Sequence, residues 1–185
     1  IGNTVPLRSL KTINSFDVKS PIDFSIETTG DITVGSMRNP GLAIALTSNN
    51  GNIDTSAGAI DTTSTPGNGG PIALSANNIT ASNLNSSSTA GNGGKITLTG
   101  QTGDVVAVSG VINSSSTIGA AGDIAIATPN EVEINSIDAN GLPGTESLGN
   151  VTVNSAGSTT FNAVKATSFT TNAAGTTQVN GNVTT

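Results

Sequence analysis

The sequence predicts an all-β fold: a parallel β-helix, or solenoid, with three short strands per rung. Three observations predict it. A glycine turn followed by a short apolar strand recurs along the chain. A three-strand unit returns every 24–28 residues. Apolar positions alternate within each strand, and no stretch has helical spacing.

The glycine turn sets the frame. Residues 65–74 read TPGNGGPIAL and residues 89–98 read TAGNGGKITL, identical at seven of ten positions. Residues 117–126, TIGAAGDIAI, are a looser third copy. After each turn the central apolar residues are Ile44, Ile72, Ile96, Ile124 and Val151, spaced by 28, 24, 28 and 27. The same spacing extends the column forward to Val179 and puts its start at Phe16 or Val18. A second cluster falls at Ile53, Ile79, Val105 to Val108, Val132 to Ile134 and Phe161. A third falls at Ile60, Leu84, Ile112, Ile137 and Phe169. From third cluster to last turn glycine is 10 residues in three copies (Ile60 to Gly70, Leu84 to Gly94, Ile112 to Gly122) and 12 from Ile137 to Gly149, so this corner takes insertions.

Alternation in Ile72-Ala73-Leu74, Ile96-Thr97-Leu98, Ile124-Ala125-Ile126 and Val151-Thr152-Val153 gives each strand one apolar face. Glycines suit corners, where a missing Cβ opens positive φ. Asparagines such as Asn49, Asn50, Asn77, Asn78, Asn92 and Asn140 tolerate the same region. Prolines fall mostly at inferred turns, with Pro71, at a strand start, the awkward case. An antiparallel sandwich would also place strands every 8–12 residues, but recurrence of the whole unit favours the β-helix. Rungs about 4.8 Å apart would make five or six of them a rod on the order of 25–30 Å long.

Residues 41–185 form the repeat domain in this reading. Residues 1–40 fit least well and are expected to be an N-terminal cap, a linking segment or a strand that pairs with a neighbour. Arg8, Lys11, Lys19 and Arg38 lie there, with Phe16 and Phe24 close by. A chain that opens on Ile1 and closes in mid-pattern at Thr185 is expected to be part of something longer, or to meet another subunit.

Composition narrows the function. Six Lys and Arg against twelve Asp and Glu, with no basic cluster and only 2% aromatics, argue against a nucleic-acid surface. They also argue against attraction to anionic lipid, and no apolar run reaches the roughly 18 residues of a membrane span. With so few rings the core must be a stack of thin aliphatic layers. No His or Cys is present, which removes serine–histidine triads, cysteine nucleophiles and the usual zinc sites.

Carboxylates remain. Glu131 and Glu133 stand at i and i+2 of a strand, on one face and roughly 6–7 Å apart. Such a pair can hydrolyse a sugar, but with no neighbouring ring to hold one, a solvated strand face is the expectation. Calcium would need acids after the glycines. Pro71 and Lys95 stand there instead, and only Asp123 follows a turn glycine. Asp104, Asp123 and Glu131 are the best calcium set if their corners converge. Asp31, Asp104 and Asp123 otherwise read as turn formers, and no cofactor is expected. GNGG lacks the Lys-Ser/Thr and the helix of a phosphate loop. Thr63-Ser64-Thr65 and Thr97-Leu98-Thr99 have the spacing of an ice-binding array but do not share a column.

Stretches 67–74, 91–98, 119–126, 149–166 and 167–185 resemble the repeats of filamentous-haemagglutinin-like bacterial exoproteins of the two-partner-secretion type. That resemblance implies a right-handed parallel β-helix, a location outside the cell or on its surface, and a structural, non-enzymatic job: adhesion, a stalk, or filament and matrix building. Expected partners are further copies stacked end to end, continuing repeats of a longer parent, or surface glycans, with no nucleic acid and no membrane insertion. The alternative is a β-helix that binds or cleaves carbohydrate through Glu131 and Glu133.

Overall fold

The computed structural model describes residues 10–17, 22–102, 105–142 and 149–185. Among them there is no helix, and parallel strands stack as a β-solenoid of about five turns. The strands form two sheets, one of seven strands and one of eleven.

The first strand of each rung joins the seven-stranded sheet. In chain order these are Phe24–Thr28, Ile44–Ser48, Ile72–Ala76, Ile96–Gly100, Ile124–Thr128, Asn150–Ser155 and Ser168–Ala173. Their register aligns Ile44, Ile72, Ile96, Ile124 and Val151, the column the spacing predicts. Leu46, Leu74, Leu98, Ile126 and Val153 form a second column beside it. All ten are buried. Each alternate residue turns inward because a strand's side chains alternate faces, and full burial of such a side chain stabilises by roughly 1.5–3 kcal/mol.

The second and third strands of each rung share the eleven-stranded sheet. They are separate in Ile53–Thr55 with Ile60–Asp61, and in Ile79–Ala81 with Leu84–Asn85. They merge in Ile32–Arg38, Val105–Asn113, Glu131–Ala139 and Thr159–Ala166. Where Val105–Asn113 meets Glu131–Ala139, the register shifts between Val108 and Val111, the signature of a bulge at the old boundary. Both sheets continue into the first forty residues through Phe24–Thr28 and Ile32–Arg38, and strand Leu10–Asp17 pairs in parallel with Ile32–Arg38.

Three column assignments differ from the expectation. Phe24, not Phe16, lies opposite Ile44, while Phe16 pairs with Met37 in the other sheet; Val18 lies outside the described residues. Phe169, expected in the third column, continues the first opposite Val151. Val179 pairs with Phe161, and the third column instead holds Met37, Ile60, Leu84, Ile112, Ile137, Val164 and Val183. The cause is rung length. Contacts between neighbouring rungs span 24 to 28 residues in the middle, but 20 between Asp23 and Ala43 and 18 between Asn150 and Ser168. The short rungs omit the long corner that ends in Gly70, Gly94 or Gly122 in the central rungs.

That corner is an arm outside the two sheets. Its base is closed by a reciprocal pair: the Gly70 N–H donates to Thr62 O (2.9 Å), and Thr62 Oγ1 donates back to Gly70 O (2.6 Å). Ser86 with Gly94 and Ser114 with Gly122 repeat the pair. The three hydroxyls are fully buried, and each is satisfied by this bond. Successive arms stack through bridges from Ser64 to Ser88 and from Ser88 to Ser116. They also interlock: Asn68 Oδ1 accepts the Asn92 N–H (2.8 Å), and Asn92 Oδ1 accepts the Ala120 N–H (3.0 Å). The last turn glycine is dictated by close approach. A Cβ on Gly94 would lie 2.3 Å from Gly70 O, and one on Gly122 2.0 Å from Gly94 O. Pro71 sits just ahead of strand Ile72–Ala76, and its carbonyl accepts the Ile44 N–H (3.0 Å), so it still joins the stack as an acceptor.

Candidate functional site

With the aliphatic columns filling the interior, chemistry is confined to the outward faces and corners. On the eleven-stranded sheet the outward positions of Glu131–Ala139 begin with Glu131 and Glu133, both exposed on one face as alternation predicts. Register sets Glu131 beside Val105, and Glu133 between Ala107 and Thr160. Glu133 borders a shallow open groove of about 390 Å³ with Ala107, Ser109, Asn135, Thr160 and Asn162. An amide ladder runs along it: Asn162 Nδ2 donates to Asn135 Oδ1 (2.9 Å), and Asn180 Nδ2 donates to Asn162 Oδ1 (3.1 Å). The nearby ring Phe161 is instead fully buried and packs edge-on against Phe169, centroids 5.1 Å apart at 87°. The face therefore offers carboxylates and amides that can hydrogen-bond hydroxyls, without a stacking platform.

The calcium set does not converge among the described residues. Asp123 stands just ahead of strand Ile124–Thr128 of one sheet, and Glu131 begins a strand of the other. Asp104 lies outside the described residues. Asp123 Oδ1 accepts the Asn150 backbone N–H (2.9 Å) and Nδ2–H (3.3 Å), and Asp31 Oδ1 accepts the Asn52 N–H (2.8 Å). Both carboxylates thus tie one rung to the next. No group of three or more acids forms a metal-binding cluster among the described residues.

Thr97 and Thr99 lie on the outward face of the seven-stranded sheet. Their neighbours in register are Ala73 and Ser75 on one side, Ala125 and Ala127 on the other, so Thr97 and Thr99 are not part of a threonine array. Of the lengthened corner 140–149, residues 143–148 lie outside the described residues, as do 1–9 and 18–21 of the N-terminal segment. Leu142 and Ile118 are both exposed, and the Leu142 N–H donates to Gly119 O (3.0 Å).

One outward column went unnoticed in the sequence. Arg38, Asp61, Asn85, Asn113, Asp138 and Lys165 align at the exit of the third strand. Arg38 Nε lies 3.6 Å from Asp61 Oδ2. The four Asp and Asn each accept the N–H two residues on: Thr63 at 2.9 Å, Ser87 at 3.2 Å, Ser115 at 2.9 Å and Asn140 at 3.3 Å. For Asp61, Asn85 and Asn113 the signal was available as Asp or Asn followed by Ser or Thr, nine residues before the last turn glycine. No protein-family model, curated protein or solved structure matches the chain.

Proposed function

We propose that the chain is a structural, non-enzymatic segment of an extracellular β-helical rod. It serves as a rigid shaft, or as a unit that stacks end to end into a filament or matrix, with an adhesive role on a bacterial surface. The observation that carries this reading is the unbroken register of the seven-stranded sheet from Phe24–Thr28 to Ser168–Ala173, over columns that are aliphatic in every central rung. Parallel backbone bonds at every rung resist bending and extension, and stiffness is the property a stalk requires. Sequence resemblance to filamentous-haemagglutinin-like exoproteins supports the surface location and the adhesive role. Small and polar outward side chains leave lateral faces for a partner such as a surface glycan, and Ser168–Ala173, an edge strand of the seven-stranded sheet among the described residues, offers a template for association by strand addition.

Electron microscopy of the purified chain across a concentration series, with a polysaccharide-turnover screen, tests the reading. Rods or filaments that lengthen with concentration, and no turnover, are the expected results. Globular single-chain particles at every concentration would remove the assembly role. Turnover abolished by Glu131→Gln with Glu133→Gln would replace the structural reading with a carbohydrate-cleaving one.

A further inference from the structure

The chain contains five Asn-Gly pairs, at 50–51, 68–69, 92–93, 140–141 and 180–181. In unfolded chain they are chemically equivalent. Asn-Gly is the pair most prone to self-conversion, because glycine leaves the following amide unhindered. The reaction needs two free groups: an Asn side chain able to swing toward its own backbone, and a following N–H not held by another acceptor.

In four pairs the stack holds at least one of these groups. Asn68 Oδ1 accepts the Asn92 N–H at 2.8 Å, and the Gly69 N–H donates to Asn92 O at 2.9 Å. Asn92 Oδ1 accepts the Ala120 N–H at 3.0 Å, and the Gly93 N–H donates to Ala120 O at 2.8 Å. The Gly51 N–H is buried and donates to Ser48 Oγ at 2.9 Å. The Asn180 side chain is tied at both ends, donating to Asn162 (3.1 Å) and accepting from Gln178 (2.6 Å). Asn140 differs. Its backbone is anchored, N–H to Asp138 Oδ1 (3.3 Å) and C=O to the Ser116 N–H (2.8 Å). Its side chain is exposed, and among the described residues neither that side chain nor the Gly141 N–H makes a hydrogen bond.

We propose that Asn140 is a self-modification site, converting to aspartate or isoaspartate through a succinimide while the fold protects the other four pairs. The Gly141 nitrogen attacks Asn140 Cγ. A Gly141 N–Cγ bond forms, the Cγ–Nδ2 bond breaks, and ammonia leaves carrying the displaced proton. Water then opens either ring carbonyl, so the net change is one water consumed and one ammonia released. The product places a new carboxylate two residues from Asp138. Its isoaspartate form adds a backbone carbon to the corner that already runs 12 rather than 10 residues from Ile137 to its glycine.

Incubation of the folded chain in mildly alkaline buffer, followed by peptide mapping with mass spectrometry, tests this. Acid should accumulate at Asn140 about tenfold faster than at Asn68 or Asn92, the ratio set by an opening cost of about 1.4 kcal/mol at the protected corners. In denaturant the five rates should converge. Equal rates in the folded chain, or faster conversion at Asn68 or Asn92, would overturn the proposal. Asn140→Gln should abolish the signal in its own peptide without changing the circular dichroism spectrum; a signal that persists there would also overturn it.

Discussion

Residues 61–72 and residues 38–44 leave the same column of the stack and reach the next strand of the same sheet by different routes. The first route swings out through a glycine arm; the second cuts straight across. The residue at the exit differs in kind. Asp61, Asn85, Asn113 and Asp138 carry an acceptor oxygen that captures the N–H two residues on and turns the chain outward. Arg38 and Lys165 carry donors only and make no such turn. Beyond Arg38 the corner is closed by the buried Asn39, whose Nδ2 donates to Ala43 O (2.8 Å). Beyond Lys165 a buried Ala166 leads directly into Ser168–Ala173. Route and strand are thus specified separately: the inward columns set the sheets, and one outward residue sets the perimeter.

The largest expected effect strikes what both kinds of rung share. Ile96→Ala empties a fully buried position with strands on both sides, and should cost about 2–5 kcal/mol. Thermal unfolding followed by circular dichroism reads it, and a loss well under 1 kcal/mol would mean that the columns do not carry the stack. Gly94→Ala acts on the arm rungs alone. Its Cβ would press on Gly70 O at 2.3 Å, and an overpacking cost of about 1–3 kcal/mol is expected in the same melt. Ser86→Ala deletes the buried hydroxyl that closes an arm; about 1–2 kcal/mol should be lost, with faster hydrogen exchange at Gly94. Asn85→Lys installs the exit residue of a short rung in an arm rung. It removes the Ser87 contact for about 1 kcal/mol, and exchange should quicken through 86–94 while both sheets stay protected. If exchange instead rises across the sheets, route and strand are not separable. Arg38→Ala is the smallest change. Its half-exposed pair with Asp61 should be worth less than about 1 kcal/mol, further weakened by salt.

The same distinction explains how far the sequence could be read. The column Ile44 to Val151 was legible because each member is branched, alternates with a small or polar residue, and in most rungs follows a glycine turn. Phe16, Phe169 and Val179 were misplaced because counting assumed one rung length, whereas register follows backbone hydrogen bonds and the short rungs drop an arm. Arg38 and Lys165 marked those rungs, but a single cation in a polar chain looks like surface. Glu131 and Glu133 on one exposed face were legible from alternation alone. The amide ladder through Asn135, Asn162 and Asn180 was not, since its members lie 27 and 18 residues apart and only the fold brings them together.

Thr55 adds a point of tension within the rungs. It is fully buried opposite Ala81, and its Oγ1 is the one buried side-chain polar atom without a partner among the described residues. An unpaired buried hydroxyl costs about 1–3 kcal/mol, so Thr55→Val is a route to a more stable chain.

The clamp at the base of each arm has a mechanical consequence. Because Thr62 with Gly70, Ser86 with Gly94 and Ser114 with Gly122 close each arm on itself, the arms form a separate rib along one edge of the solenoid. Girth can therefore change from rung to rung while the pitch, fixed by the sheets, stays constant. Stiffness against bending toward the rib and away from it becomes a local property, tuned by adding or omitting one acceptor at a strand exit.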